Sequence, residues 1–384
     1  NQCERVGGRS HNGDLTICCT GIVWGLGGAR RHLCWPVGTF WCCKRAGFVA
    51  LAAIWICVVY RVPGRTICLV ERAQSISSVE SIEKTNEVIT TLLFEGRIDR
   101  NLWTEDLVLT PEELGLTLHN GAYVWPVRPD LLNDAEIARS TDLAKLKVFH
   151  AVDSTSTVLL ARANHQSVDR WLYTAECQIR GRGRRGRAWS SPFARNLALS
   201  YGHASKYAMA DLGGLSLLTG LAVAEAIHRM GAPRVKVKWP NDLVVNERKL
   251  CGILIDLTQT AGNTNVVVGI GINVDLTPAD KGKIDRSVID IRELGVKQSR
   301  TEILIQIVGS LQTMLRRFEE EGFQSFIETF NNHHAYQDQS CTVHMGDRII
   351  EGVVRGVAID GALVMETDRG HEHFHGGEVS LRKY

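Results

Sequence analysis

The sequence predicts an α+β fold: a mixed β-sheet flanked by helices, followed by a small all-β domain. Three observations carry this expectation. From Lys147 onward, β-patterned runs such as "LKVFHAV", "RVKVKWPNDLVV", "KLCGILIDL" and "NVVVGIGINVDL" are separated by short polar turns. Between and after them lie two strong helical patterns, 212–231 and 299–322. Beyond Ser340, short strands are broken by Gly-Asp and Asp-Gly turns, the rhythm of a small β-barrel.

Each element follows from local chemistry. "LKVFHAVDST" is a strand that runs into a Ser/Thr turn suited to capping a helix. "LGGLSLLTGLAVAEAIHRMG" is rich in small apolar residues, so it reads as a buried helix stopped by Gly231. The helix over 299–322 begins with a capping box, Ser299 and Glu302, and carries the stripe Ile303, Ile307, Leu311, Leu315 and Phe318. Upstream, 78–96 forms a helix ended by Gly96, and 114–129 forms two short strands around His119-Asn120-Gly121. Such a ribbon suits the wing of a winged helix, but no basic recognition helix precedes it.

Composition narrows the function. A chain of 384 residues has room for two or three domains, and a net charge of +2 excludes a wholesale polyanion binder. Residues 1–70 stand apart: they hold eight of the eleven cysteines, four of the nine tryptophans, and only Glu4 and Asp14 as acids. Three readings compete for this stretch. A disulfide-stapled module lacks a familiar cysteine framework. A membrane anchor would rest on the apolar run 46–60, short of the roughly 20 residues that span a bilayer. The composition, with the first methionine at Met209, favours out-of-frame translation, so residues 1–100 are expected to stay unassigned and not to report function.

"RGRGRRGRAW" at 180–189 poses the functional question, with five arginines in its first eight positions. A sticky nucleic-acid tail needs disorder and low-complexity flanks. Here the flanks "YTAECQ" and "SSPFARNLALSY" read as strand and turn. Glycines at 181, 183 and 186 suit a mobile loop whose backbone comes close to a ligand, and arginine offers a planar fork for carboxylate and phosphate oxygens.

Its neighbours decide between tail and loop. "DST" at 153–155, Gln178, "GRGRRGRAW" at 181–189, "KWPND" at 238–242, "RKLCGIL" at 248–254, "GIGIN" at 269–273 and "GGEVSLR" at 376–382 stand in the order and spacing of the biotin–protein ligases. Over roughly 146–384 the chain resembles that family, in particular the bacterial bifunctional ligase and biotin-operon repressor type with an atypical N-terminal region. The resemblance implies a class II synthetase-like ligase domain at 146–338 and an SH3-like C-terminal β-barrel at 339–384. Residues 101–145 would be a remnant of the wing and its linker. It also implies an enzyme that uses ATP with Mg2+ to form biotinyl-5'-AMP and then passes biotin to a lysine of a carrier domain.

The family's roles carry over residue by residue. Arg184 and Lys249 are the expected catalytic pair, binding the biotin carboxylate and the mixed anhydride. Ser154, Thr155, Ser156, Gln178, Gly181, Arg182, Gly183, Leu254, Gly269 and Ile272 complete the expected biotin pocket, and Trp189, Lys238, Asn241, Asp242 and Asn273 the nucleotide site. No resident metal site is expected, and His371, His373 and His375 read as an exposed strand face. Expected partners are the biotin carboxyl carrier protein of acetyl-CoA carboxylase and a homodimer through the ligase-domain sheet, with operator DNA only if a winged helix is present. A cytoplasmic protein without membrane contact follows. Two departures stand out: Ser156 where the family usually has asparagine, and Ile179-Arg180 before the glycines where a small or polar pair is usual. The alternatives are a biotin-responsive repressor as well as ligase, and a lipoate-type ligase of the same fold.

Overall fold

The computed structural model describes residues 76–384, apart from 234, 261–262, 347, 377–378 and 384, together with 18–26, 29–36, 55–62 and 65–72. The chain divides into two compact units, 1–83 and 84–384. In the first, strands β1 (Cys18–Leu26), β2 (Ala29–Pro36), β3 (Trp55–Val62) and β4 (Arg65–Arg72) pair in sequential antiparallel order. Most of the apolar run weighed as an anchor, 46–54, lies outside the described residues, and the rest belongs to β3.

Helix α1 (Ile76–Glu95) ends at Gly96, whose φ of 75° is a left-handed conformation that glycine adopts without strain. Ile89 and Leu92 of α1 are fully buried in a cluster with Leu109, Leu114, Ala151, Cys177 and Phe193. Residues 84–100, expected to remain with the unassigned stretch, therefore pack into the second unit. Strands β5 (Ile98–Asp99), β6 (Thr117–His119) and β7 (Ala122–Val124) form a small sheet in the order β5-β7-β6. Asn120 and Gly121 both take positive φ, as the expected tight hairpin turn requires. Between β5 and β6 the described residues hold one short 3-10 turn, Arg100–Leu102, and no recognition helix.

A linker containing α2 (Asp134–Ser140), capped by the Asn133 side chain, leads into the main sheet. Its strands are β8 (Lys145–Val152), β9 (Trp171–Gln178), β10 (Asn196–Ser205), β11 (Lys236–Lys238), β12 (Asp242–Val245), β13 (Arg248–Thr260) and β14 (Asn263–Asn273). They lie in the order β11-β12-β13-β14-β10-β9-β8; β8 and β9 are parallel and the other pairs antiparallel, so the sheet is mixed as expected. One face packs on α4 (Leu215–Arg229) and α6 (Arg300–Glu321); the other carries α3 (Thr155–Ala163). The apolar stretch 209–229 is long enough to cross a membrane, yet α4 is mostly buried inside this core. Helix α6 has the capping box of Ser299 and Glu302, and its stripe from Ile303 to Phe318 is buried against the sheet.

Short helices α5 (Pro278–Gly282) and α7 (Ile327–His333) complete the body. Beyond them β15 (Ser340–Met345), β16 (Arg348–Val357), β17 (Leu363–Thr367), β18 (Gly370–Phe374) and β19 (Val379–Lys383) form an antiparallel sheet in the order β18-β17-β16-β15-β19. This β-domain is seated closely on the body built around the main sheet. Trp239 is buried and its Nε1 donates to the Gly361 carbonyl at 3.1 Å.

Candidate active site

Strand periodicity builds the floor of a cleft of about 660 Å³ on the α3 face of the sheet. Side chains alternate along a strand, so Val266, Val268, Ile270 and Ile272 of β14 enter the core on one face while Gly269, Gly271 and Asn273 face the other. Gly252 and Leu254 of β13 sit beside them, each opposite a glycine: Gly252 pairs Gly271 and Leu254 pairs Gly269. The absence of side chains is structural. A Cβ on Gly269 would lie 2.5 Å from Ser156 Oγ, and one on Gly271 would overlap the Trp189 ring.

One end of the cleft is a chain of hydroxyl and amide groups. Ser154 caps α3, and the Thr155 backbone N–H donates to Gln178 Oε1 at 2.9 Å. Thr155 Oγ1 and Ser156 Oγ lie 2.8 and 2.9 Å from Ser200 Oγ. Ser154, Thr155, Ser156 and Ser200 are all buried, so the end is preorganised and short of water.

The arginine segment arches over this floor as a folded loop. Gly183 N–H donates to Arg187 O at 2.7 Å, Trp189 N–H to Gly181 O at 2.8 Å, and Arg182 bridges Ala188. Arg185 and Gly186 take positive φ at its tip. Side chains tether the loop to the sheet: both Nη atoms of Arg182 donate to Asp256 at 3.1 and 3.2 Å, and Arg184 Nη1 donates to Asn241 Oδ1 at 2.9 Å. Trp189 rests on Gly271 and Gly252, and Lys249 Nζ stands 5.7 Å from its ring centroid.

The opposite wall supplies two lysines. Lys249 Nζ donates to Asp242 Oδ1 at 2.6 Å, and its backbone is locked by Ser287 O, Ile289 N–H and the Asn273 amide. Lys238 Nζ lies 5.2 Å from the Tyr336 ring centroid. Burial pushes the Arg184 pKa down, with Arg185 and Arg187 adding repulsion and Asp242 opposing. Burial also lowers that of Lys238, with Lys249 acting in the same sense against Asp242 and Glu247. Partly desolvated cations lining one cleft would be stabilised by an anion, an arrangement chemically suited to phosphate or carboxylate.

Comparison with known proteins now places the chain. The pattern of the biotin/lipoate A/B protein ligase family matches residues 148–273, and that of the biotin protein ligase C-terminal domain matches 338–382. The bifunctional ligase/repressor BirA of Escherichia coli (strain K12) is 35% identical over 268 residues, 69% of this chain and 83% of that protein. The chain belongs to the biotin protein ligase family. Biotin--[acetyl-CoA-carboxylase] ligase of Mycobacterium tuberculosis is 28% identical over 257 residues, covering 62% of this chain and 91% of that one. Among solved structures, the biotin protein ligase from Aquifex aeolicus in complex with biotin and ATP has a TM-score of 0.54 at 27% identity, covering 63% of this chain and all of that one. The mixed sheet with flanking helices and the SH3-like C-terminal β-domain are thus those of biotin protein ligases.

The family's motif residues converge with one exception. Ser154, Thr155, Ser156, Gln178, Arg182, Gly183, Arg184, Trp189, Lys238, Asn241, Asp242, Lys249, Leu254, Gly269 and Asn273 line the cleft, and Gly181 packs at the root of the loop. Ile272 does not. It is buried in the core on the opposite face, because it alternates with Gly271 and Asn273 along β14. The Asn273 amide is committed to the Lys249 and Ile289 carbonyls, so it fixes the wall as well as lining it. Ser156, standing where the family usually has asparagine, bonds Ser200.

Sequence reasoning missed Lys283, Arg286 and Arg382, which also line the cleft, and Ser200, which is buried behind it and bonds Thr155 and Ser156. His371 and His373 lie on the exposed face of β18, and among the described residues no cluster of metal-ligating side chains forms.

Proposed function

We propose that this chain is an ATP-dependent biotin–protein ligase in which the arginine loop and the lysine wall close on biotinyl-5'-AMP. The observation that carries this reading is the convergence of Arg184, Lys238 and Lys249 on one cleft with a glycine floor and a polar, water-poor end. The polar end of Ser154, Thr155, Ser156 and Gln178, with Ser200 bonding Thr155 and Ser156 from behind, suits the ureido ring, and Leu254 with Gly269 suits its apolar bicycle. The carboxylate then points toward Arg184 and Lys249.

In the first step a biotin carboxylate oxygen bonds to the α-phosphorus of ATP and the bond to the bridging oxygen breaks, releasing pyrophosphate. Two anions approach each other, so charge neutralisation and orientation dominate the barrier. Arg184 and Lys249 supply the neutralising charge, Asn241 and Asp242 orient them, and Trp189 covers the adenine. In the second step the ε-amine of a carrier lysine attacks the acyl carbon, AMP leaves, and the nitrogen loses a proton. Mg2+ enters with ATP as part of the substrate. Asp242 and Asp285 are the carboxylates among the described lining residues, and a hard ion on phosphate oxygens needs only one or two.

By the same reading, residues 101–145 are wing and linker, 146–338 the ligase domain and 339–384 the β-domain, in a cytoplasmic protein. The carrier is the biotin carboxyl carrier protein of acetyl-CoA carboxylase, and the sheet edge offers a homodimer surface. The hairpin of β6 and β7 has the form of a wing without a recognition helix between β5 and β6 among the described residues, and binding of a labelled operator fragment by the full chain tests whether a role on operator DNA accompanies it. For the ligase, the test is biotin-dependent exchange of label between pyrophosphate and ATP. Arg184→Ala and Lys249→Ala should each lower its kcat/KM by about 10²–10³-fold, the range for removing one charge-stabilising donor. Exchange driven by lipoate and not by biotin would move the chain to the lipoate branch.

A further inference from the structure

We propose that Arg300 is the positioning residue of the arginine loop, holding its entry and exit legs in register through one buried guanidinium. Arg300 opens α6, far in sequence from the loop, yet its side chain is only 1% exposed. Its Nε and Nη2 donate to the Asn196 carbonyl at 3.0 and 2.7 Å, and its Nη1 donates to Glu176 Oε2 at 2.5 Å and to the Asp130 carbonyl at 2.7 Å. Glu176 precedes Gln178 on β9, the strand that feeds the loop. Its carbonyl accepts from Ala194 N–H at 2.9 Å, and its Oε1 accepts from Leu132 N–H at 2.7 Å. Asn196 opens β10, the strand that leaves the loop, and its Nδ2 donates to the Ser190 carbonyl at 2.8 Å, one residue beyond Trp189.

One planar fork therefore ties the entry leg, the exit leg and the linker at 130–132. Stability alone does not account for it, because a buried ion pair commonly holds a fold no better than apolar packing of the same volume. Geometry does: a guanidinium presents its donors in a fixed plane, so it sets three chain segments at once. The functional consequence rests on the ligase reading. A loop already registered at both ends gives up little freedom when it closes on an anion, and a loosened one must be ordered by the ligand.

The experiment compares the full chain with Arg300→Lys, Asn196→Ala and the double variant. Arg300→Lys keeps a charge for Glu176 but loses the fork on Asn196, whereas Asn196→Ala leaves the buried pair intact and cuts only the tether to Ser190. Two readouts are taken: the initial rate of trypsin cleavage within 182–187 without ligand, and KM and kcat for biotin. Each single variant should be cut about fivefold faster and raise KM roughly tenfold, with kcat within about threefold, the signature of an ordering cost met on binding. The double variant should be no worse than the stronger single one, because both cut the same chain of contacts. If Arg300→Lys fails to fold, Asn196→Ala decides. Wild-type cleavage and KM in Asn196→Ala would overturn the proposal, as would a fall in kcat at unchanged KM. A wild-type chain that makes no biotinyl-5'-AMP would remove the ligase reading instead, and the cleavage rates would still decide whether the loop is anchored.

Discussion

The two sides of the cleft are built by opposite means. The floor is a ladder: β13 and β14 pair continuously from Cys251 with Ile272 to Thr260 with Asn263, and their inward face is made by leaving side chains out at Gly252, Gly269 and Gly271. The arginine loop has little apolar anchorage, and Arg182, Arg184, Arg185 and Arg187 are held by tethers at Asp256 and Asn241 and by the turn's own backbone bonds. On the proposed ligase reading, a rigid floor sets where the ligand lies and a tethered loop brings charge to it. Changes to the floor should therefore act through shape and changes to the loop through charge.

Among changes that leave the cations of the cleft in place, Gly269→Val should have the largest effect. Its branched side chain collides with Ser156 and Leu254, so biotin affinity should drop about 100-fold while the fold survives, read by calorimetric titration and circular dichroism. Unchanged affinity would mean that biotin lies elsewhere. A middle-sized effect tests the scaffold behind the floor. His203 on β10 faces Glu319 of α6 at 2.9 Å and Asp169 at 3.5 Å. Burial opposes its protonation, but those two carboxylates outweigh burial and raise its pKa above 6.5. A raised folded-state pKa contributes stability that is complete below the unfolded value and is lost as pH rises through the folded value. Comparing His203→Gln with the parent, the Tm deficit should be widest near pH 6, about 2–4 °C, and should narrow toward pH 9. A deficit that grows with pH would contradict this pairing. The smallest effect belongs to a loop tether: Asp256→Asn leaves Arg182 partly exposed in solvent and should weaken adenylate binding by only about threefold.

What was legible in the sequence divides along the same line. Helix α6 was readable from Ser299 and Glu302 through Phe318, and the β6–β7 turn from Asn120-Gly121, because caps and turns are local. The cleft was readable because several motifs had to coincide. Ile272 was misplaced because a motif string does not show which face a residue takes, although strand alternation with Gly269 and Gly271 does. Arg300 and Ser200 stayed hidden for another reason: their partners lie 124 residues away at Glu176 and 44–45 residues away at Ser156 and Thr155, and no local pattern encodes such contacts. The N-terminal boundary moved because Ile89 and Leu92 pack on Ala151, Cys177 and Phe193, again a contact at long range.

The central claim is that loop and wall act together on one anion, and the direct measurement is a double-mutant cycle on adenylate affinity. A stable biotinyl-5'-AMP analogue is titrated by calorimetry into the parent chain, Arg184→Ala, Lys249→Ala and the double variant. Each single change should weaken binding by about 10²-fold, and the double should lose clearly less than the product, a coupling of about 1 kcal/mol or more. Additive losses would mean that the two cations do not share a ligand group, and a parent that binds the analogue no more tightly than biotin would contradict the account outright.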